Sequence, residues 1–164
     1  MKLTPAYIAL GANLERPEDQ VRAGIEALAM LPETRLARVS SLYRTAPVGF
    51  DAQPDFINAV AQIETALEPR ALLDALLAIE RRHGRVRDVP NGPRTLDLDI
   101  ALYDEIELQE PGLTLPHPRM HERAFVMVPL AEIAPEALVP GRGRAGELAA
   151  ALDTVNIIKL TTDE

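Results

Sequence analysis

Along the chain, the apolar positions switch between a period of two and a period of about 3.6, which predicts a mixture of strands and helices. AYIALG, residues 6–11, is a short apolar run ending in glycine and predicts a buried strand. In the following NLERPEDQVRAGIEALAML, Val21, Ile25 and Leu28 share one stripe, as in an amphipathic helix. Pro17 suits its first turn, Glu18 and Asp19 suit the positive end of its dipole, and Pro32 stops it. ARVSSLYRTAPVG, residues 37–49, predicts one strand leaving into a loop, and GFDAQPD at 49–55 is turn-rich. DFINAVAQIET, residues 55–65, alternates. Ile57, Ala59, Ala61 and Ile63 make a core face, while Phe56, Asn58, Val60 and Gln62 make the other.

Residues 68–84 predict a second helix, opened by Pro69, striped by Leu72, Leu76 and Ile79, and closed by Gly84. A loop with two prolines, RVRDVPNGP, leads into a strand at about residues 96–103. Residues 120–135 predict a third helix with a possible kink at Pro129. The tail predicts a short helix and a last strand. No repeat or linker interrupts the chain, so residues 1–164 read as a single domain. Strands and helices do not alternate strictly. The expected class is therefore α+β, a mostly antiparallel sheet with helices packed on both faces.

Composition narrows the function. Of 164 residues, 47% are apolar, enough for a sizeable core. The formal net charge of −8 argues against sequence-independent nucleic-acid binding, which needs a basic face. The absence of cysteine excludes disulfide and thiol chemistry and fits a reducing compartment. MKLTPAYIALGANL reads neither as a signal peptide nor as a membrane span, so a cytoplasmic location is expected.

The segment GPRTLDLDI carries the clearest chemistry. On a strand, Asp97 and Asp99 point the same way, roughly 7 Å apart along the chain, while Leu96, Leu98 and Ile100 point into the core. Two adjacent carboxylates repel unless a cation sits between them, and Mg²⁺ prefers hard oxygen ligands. Spacing alone leaves open a metal-holding pair or the solvated polar face of an edge strand. Arg81, Arg82, Arg85, Arg87 and Arg94 crowd the preceding segment. They read as a solvated helix end or as a phosphate-binding group, because a guanidinium binds phosphate through paired hydrogen bonds. Arginines beside two carboxylates suit phosphoryl transfer. GRGRAG at 141–146 matches a dinucleotide fingerprint only formally, since no clear strand precedes it and no βαβ unit follows. No Walker-type loop is present. Pro118 disfavours a zinc-binding helix through His117 and His121, so His117 reads as a hydrogen-bonding site residue and His121 as surface or helix start.

The strings YIALGANL, SSLYRTAPVG, QPDFINAV, GRVR, GPRTLDLDI and LTLPHPRMHERAFVMVPLAEIAP follow in order from about residue 6 to 136. Together they resemble the hydroxymethyl-dihydropterin pyrophosphokinases of folate biosynthesis. The resemblance implies a ferredoxin-like α+β domain that transfers diphosphate from the co-substrate ATP to the pterin hydroxymethyl group, with two Mg²⁺ ions. By motif position, Asp97 and Asp99 would hold the metal and, with Arg85 and Arg94, form the catalytic set. Phe56 and Phe125 would sandwich the pterin, Asn58 would bind its edge, and the backbone near Thr45 and Val48 would add contacts. Arg85, Arg87 and Arg94 would serve the phosphates. Glu80, Ile100, Thr114, His117 and Arg123 would line the nucleotide side, and loops around 46–54 and 85–93 would close over both substrates. The expected partners are these small molecules, with no nucleic acid, membrane or obligate protein partner. The chain departs from the family pattern in carrying Phe56 where many members have tyrosine. It also lacks tryptophan in the arginine loop and has Gly112 where some members have arginine.

Overall fold

The computed structural model describes residues 2–14, 16–46, 54–83 and 95–160. Its main sheet is built on three long strands, β1 (Thr4–Ala12), β4 (Phe56–Thr65) and β5 (Asp97–Tyr103). The shorter β2 (Thr34–Val39), β3 (Tyr43–Thr45) and β10 (Ile157–Lys159) complete it, in the order β10-β3-β4-β1-β5 with β2 also on β4. Every pairing is antiparallel. Two small ribbons lie apart, β6 (Leu108–Glu110) with β7 (Leu113–Leu115), and β8 (Leu138–Val139) with β9 (Gly143–Arg144).

Alternation along the long strands gives the sheet two apolar faces. Ile8, Leu10, Ile57, Ile63 and Leu98 pack under α1 (Pro17–Ala29) and α2 (Pro69–Arg82), whose stripes supply Val21, Leu28, Leu72, Leu76 and Ile79. Val60, Ala101 and Leu102 pack under α3 (Ala124–Ile133) and α4 (Ala145–Ala150) through Val126, Met127, Leu130 and Ala145. The expected α+β architecture with helices on both faces is thus observed. Gly24 lets α1 approach closely, for a Cβ there would come 3.0 Å from Leu10 and 3.2 Å from Leu96. Pro17 and Pro69 open their helices as expected, since the amide that proline lacks has no intrahelical partner there.

Two elements differ from the sequence reading. The strand expected over 37–49 is two strands, β2 and β3, broken at residues 40–42. Ser40 makes the break: its N–H donates to the Val60 carbonyl, but the Val60 N–H is accepted by the Ser40 hydroxyl oxygen in place of a strand carbonyl. The helix expected over 120–135 begins as a 3₁₀ turn, Met120–Glu122, and stops at the extended Arg123 before α3 starts. Pro129 lies inside α3, where it has no N–H to give to the carbonyl four residues back. GRGRAG forms the turn and second strand of the β8–β9 ribbon and the first turn of α4, so it makes no βαβ nucleotide loop.

Candidate active site

At one end of the sheet, the α3 face turns from apolar to polar and opens a cavity of about 520 Å³. Phe56 and Asn58 of β4, Asp97 and Asp99 of β5, His117 and Phe125 line it. The strand register brings these groups together. Gly11 of β1 stands opposite Asn58 on one side and opposite Asp97 on the other. It is glycine for a steric reason, since a Cβ there would lie 2.8 Å from Asn58 Nδ2. Asn58 is 7% exposed, and the Thr45 hydroxyl donates to its Oδ1 at 2.7 Å, so the amide is held from the β3 side.

The aspartates follow the alternation of β5. Leu98 and Ile100 enter the core, while Asp97 and Asp99 stand half-buried on the cavity wall. A β-bulge follows them. Ile8 pairs with Ile100 and Tyr7 with Leu102, leaving Ala101 as the extra residue. The Ala101 carbonyl accepts the His117 N–H at 3.0 Å, which moors the segment after β7 beside the aspartates.

His117 receives the Arg119 N–H at Nδ1, which assigns the proton of the neutral ring to Nε2. Burial pushes the His117 imidazole below its ordinary value, the Arg123 charge adds to this, Asp97 opposes it, and Arg119 lowers it further. The side chain is therefore a neutral hydrogen-bond donor near pH 7. Arg123 lies over the Phe125 ring, 5.6 Å from its centroid, in the break between the 3₁₀ turn and α3. An unbroken helix through 120–135 would not permit that extended residue. A second cavity of about 270 Å³ adjoins, with Asp99 and His117 on both walls and with Ile100 and Thr114 as its own.

Of the residues expected at the site, Thr45, Phe56, Asn58, Asp97, Asp99, Arg123 and Phe125 line the larger cavity. Ile100 and Thr114 line the smaller, and His117 lines both. Glu80, expected on the nucleotide side, lines neither cavity among the described residues. It is 1% exposed on the buried face of α2, and its carboxylate accepts the Leu98 N–H at 2.7 Å. Val48, Arg85, Arg87, Arg94 and the two expected closing loops, apart from their described ends, lie outside the described residues. Sequence reasoning missed Gly11, although a lone glycine in a strand is a known sign of close approach. It also missed the tail, whose Asn156 and Ile157 form part of the cavity wall because β10 pairs with β3. No local pattern announces that pairing.

The fold and the cavity define a small-molecule enzyme on an antiparallel α+β sheet. The family model for 7,8-dihydro-6-hydroxymethylpterin-pyrophosphokinase (HPPK) matches residues 7–135. The chain is 50% identical over 154 residues to the 2-amino-4-hydroxy-6-hydroxymethyldihydropteridine pyrophosphokinase of Pseudomonas aeruginosa, covering 94% of this chain and 95% of that one. The Haemophilus influenzae enzyme of the same name is 48% identical over 155 residues, covering 94% and 97%. A solved Plasmodium falciparum HPPK-DHPS triple mutant with pteroate superposes with a TM-score of 0.72 at 13% identity, which bears on fold alone. The match covers 96% of this chain and 47% of that longer one. The chain belongs to the HPPK family, and it is a pyrophosphokinase, a transferase of folate synthesis. Among the described residues, no helix is long and apolar enough to cross a membrane.

Proposed function

We propose that the larger cavity binds 6-hydroxymethyl-7,8-dihydropterin and the adjoining one binds ATP, with Mg²⁺ between them. The observation that carries this reading is one cavity lined by two aromatic residues, a fixed amide and two carboxylates. Phe56 and Phe125 offer faces to a heterocycle, and Asn58, fixed by Thr45, reads its edge by hydrogen bonds. Ile100, Thr114 and His117 border the nucleotide side, where His117 donates from Nε2, and Arg123 lines the larger cavity. For Val48, Arg85, Arg87 and Arg94 the proposed roles, backbone contact and phosphate binding, rest on motif position.

The residues present fit Mg²⁺. Asp97 and Asp99 are half-buried hard oxygen donors on the wall of a roomy cavity. No group of three or more potential metal-binding side chains occurs among the described residues. Such a pair suits an ion that keeps water and takes phosphate oxygens as its other ligands, and two ions are proposed. When bound, Mg²⁺ supplies Lewis-acid stabilisation of the phosphate oxygens. In the transfer, the pterin hydroxyl oxygen attacks the β-phosphorus of ATP in line, the bond to the α–β bridging oxygen breaks, AMP leaves, and the hydroxyl proton is released to solvent. Phe56, Phe125 and Asn58 orient the hydroxymethyl group, and proximity of this kind supplies much of the rate.

Both apolar cores share one sheet, which supports reading residues 1–164 as one pyrophosphokinase domain. The proposal includes a cytoplasmic location and small molecules as the partners, and the charge of −8 speaks against nucleic acid. A product assay tests the reaction. ATP, Mg²⁺ and the reduced hydroxymethyl pterin are expected to give AMP and pterin diphosphate one for one, abolished by EDTA. ADP would mark a simple kinase, and released pyrophosphate a nucleotidyl transferase.

A further inference from the structure

Position 80 breaks the pattern of its helix. α2 buries Leu72, Leu76, Ile79 and Glu80 against the sheet, and a leucine at position 80 would continue the stripe. A carboxylate there is costly to bury unless hydrogen bonds compensate. One such bond reaches β5. Among the described residues β5 is an edge strand of the main sheet, with no neighbouring strand on its outward side. The outer N–H of Leu98 is taken by Glu80 Oε2 at 2.7 Å instead. Leu98 is the residue between Asp97 and Asp99, and its peptide plane sets the direction in which both carboxylates leave the strand.

We infer that Glu80 is a positioning residue, standing in for the missing strand at the edge of β5 and fixing Asp97 and Asp99 as a cation-binding pair. This inference rests on the proposed function of that pair. Among the described residues Glu80 lines neither cavity, and its contact with the Leu98 amide is the link from α2 to the pair. Groups that orient metal-binding side chains commonly change metal affinity by about 10–100-fold when removed. The pterin wall on β4 lies across β1 from this contact and has its own support from Thr45.

The test measures Mn²⁺ binding directly, by the loss of the free-ion electron paramagnetic signal, in the presence of α,β-methylene-ATP. Exchange of the Leu98 amide hydrogen is followed in parallel without metal. E80A is expected to speed that exchange and weaken Mn²⁺ by about tenfold, with pterin affinity held. E80Q keeps an acceptor for the Leu98 N–H and is expected to restore both. E80A with unchanged Mn²⁺ affinity, or with metal and pterin affinity lost together, would overturn the inference. If E80A does not fold, E80Q decides alone: Mn²⁺ binding like the parent upholds positioning through the amide, and a tenfold loss shows that the charge itself is used. Failure of the parent protein to bind Mn²⁺ with the analogue would instead refute the metal reading of Asp97 and Asp99. The Leu98 exchange rate would then still report whether Glu80 holds the strand.

Discussion

The two faces of the sheet use the same strands but end differently. Under α1 and α2 the core runs the full length of β1 and β4, from Ala6 and Ile63 to Ala12 and Ile57. Under α3 and α4 it stops at Ala9, Val60 and Ala101, and beyond that line the strands present Gly11, Asn58, Asp97 and Asp99. The first face is closed by two helices of 13 and 14 residues, whereas α3 has only 10. One face is spent on stability and the other, left short of its helix, becomes a site. The polar residues that would be faults in a core are tolerated because they border a cavity open to water and ligand.

The largest expected break in this contrast comes from the open end. Asp97→Ala or Asp99→Ala is expected to lower turnover by about a thousandfold while calorimetry finds pterin binding preserved. Near-parent turnover with Mg²⁺ would remove the metal assignment. On the closed face, Leu76→Ala leaves a void where a fully buried side chain stood, and unfolding free energy is expected to fall by about 2–5 kcal/mol. Denaturant titration reads this, and the variant should turn over normally wherever it is still folded.

Gly11→Ala probes the boundary between the two regimes. Its Cβ would push on Asn58 Nδ2, so the pterin KM is expected to rise about tenfold with a smaller change in kcat. Equal losses in both would show that the strand, not the amide, had moved.

The strut that holds the short face in place should give a smaller effect. Glu132 of α3 accepts the Tyr43 hydroxyl at 2.7 Å and the Ser41 hydroxyl at 2.8 Å, and Lys159 lies 3.8 Å away. Burial pushes its carboxyl up, but the bonds from Tyr43 and Ser41, helped by Lys159, outweigh this and hold it below its ordinary 4.5. Its share of stability is therefore complete above that value and is lost as pH falls through the lower folded-state value. Glu132→Gln is expected to cost about 1 kcal/mol at neutral pH and to flatten the acid limb of the stability curve. Urea midpoints across that range measure both.

The smallest effect concerns His117. Its folded-state value lies below 6.5, chiefly through burial and then through Arg123. As pH drops below 6.5 the unfolded chain takes up a proton that the folded chain refuses, so stability declines toward the folded-state value. In His117→Gln that slope in the melting temperature should shrink, leaving the part due to His83, whose imidazole is also pushed down by burial and then by Arg82. A parent protein with no slope there would show that the ring is not held neutral.

Much of this was legible in sequence because it depends on local periods. Alternation at 55–65 placed Phe56 and Asn58 on one face, and Ile57, Ala59, Ala61 and Ile63 on the other, as the cores confirm. The same rule placed Asp97 and Asp99 together. The break at Ser40 and the extended Arg123 were not legible, because each depends on bonds to residues distant in the chain or on a local turn that apolar periodicity passes over.

The sequence by itself determined the faces: which side chains of each strand and helix turn inward follows from periods of two and 3.6 and from the transfer of apolar groups out of water. It also carried the motif strings on which family membership rests. Only the tertiary structure decided which faces meet. The antiparallel register set Gly11 between Asn58 and Asp97, the bulge at Ala101 brought His117 to the aspartates, and α2 delivered Glu80 to the Leu98 amide. Those contacts join segments far apart in the chain, and their geometry is set by long-range strand pairing and helix packing, which no local period encodes.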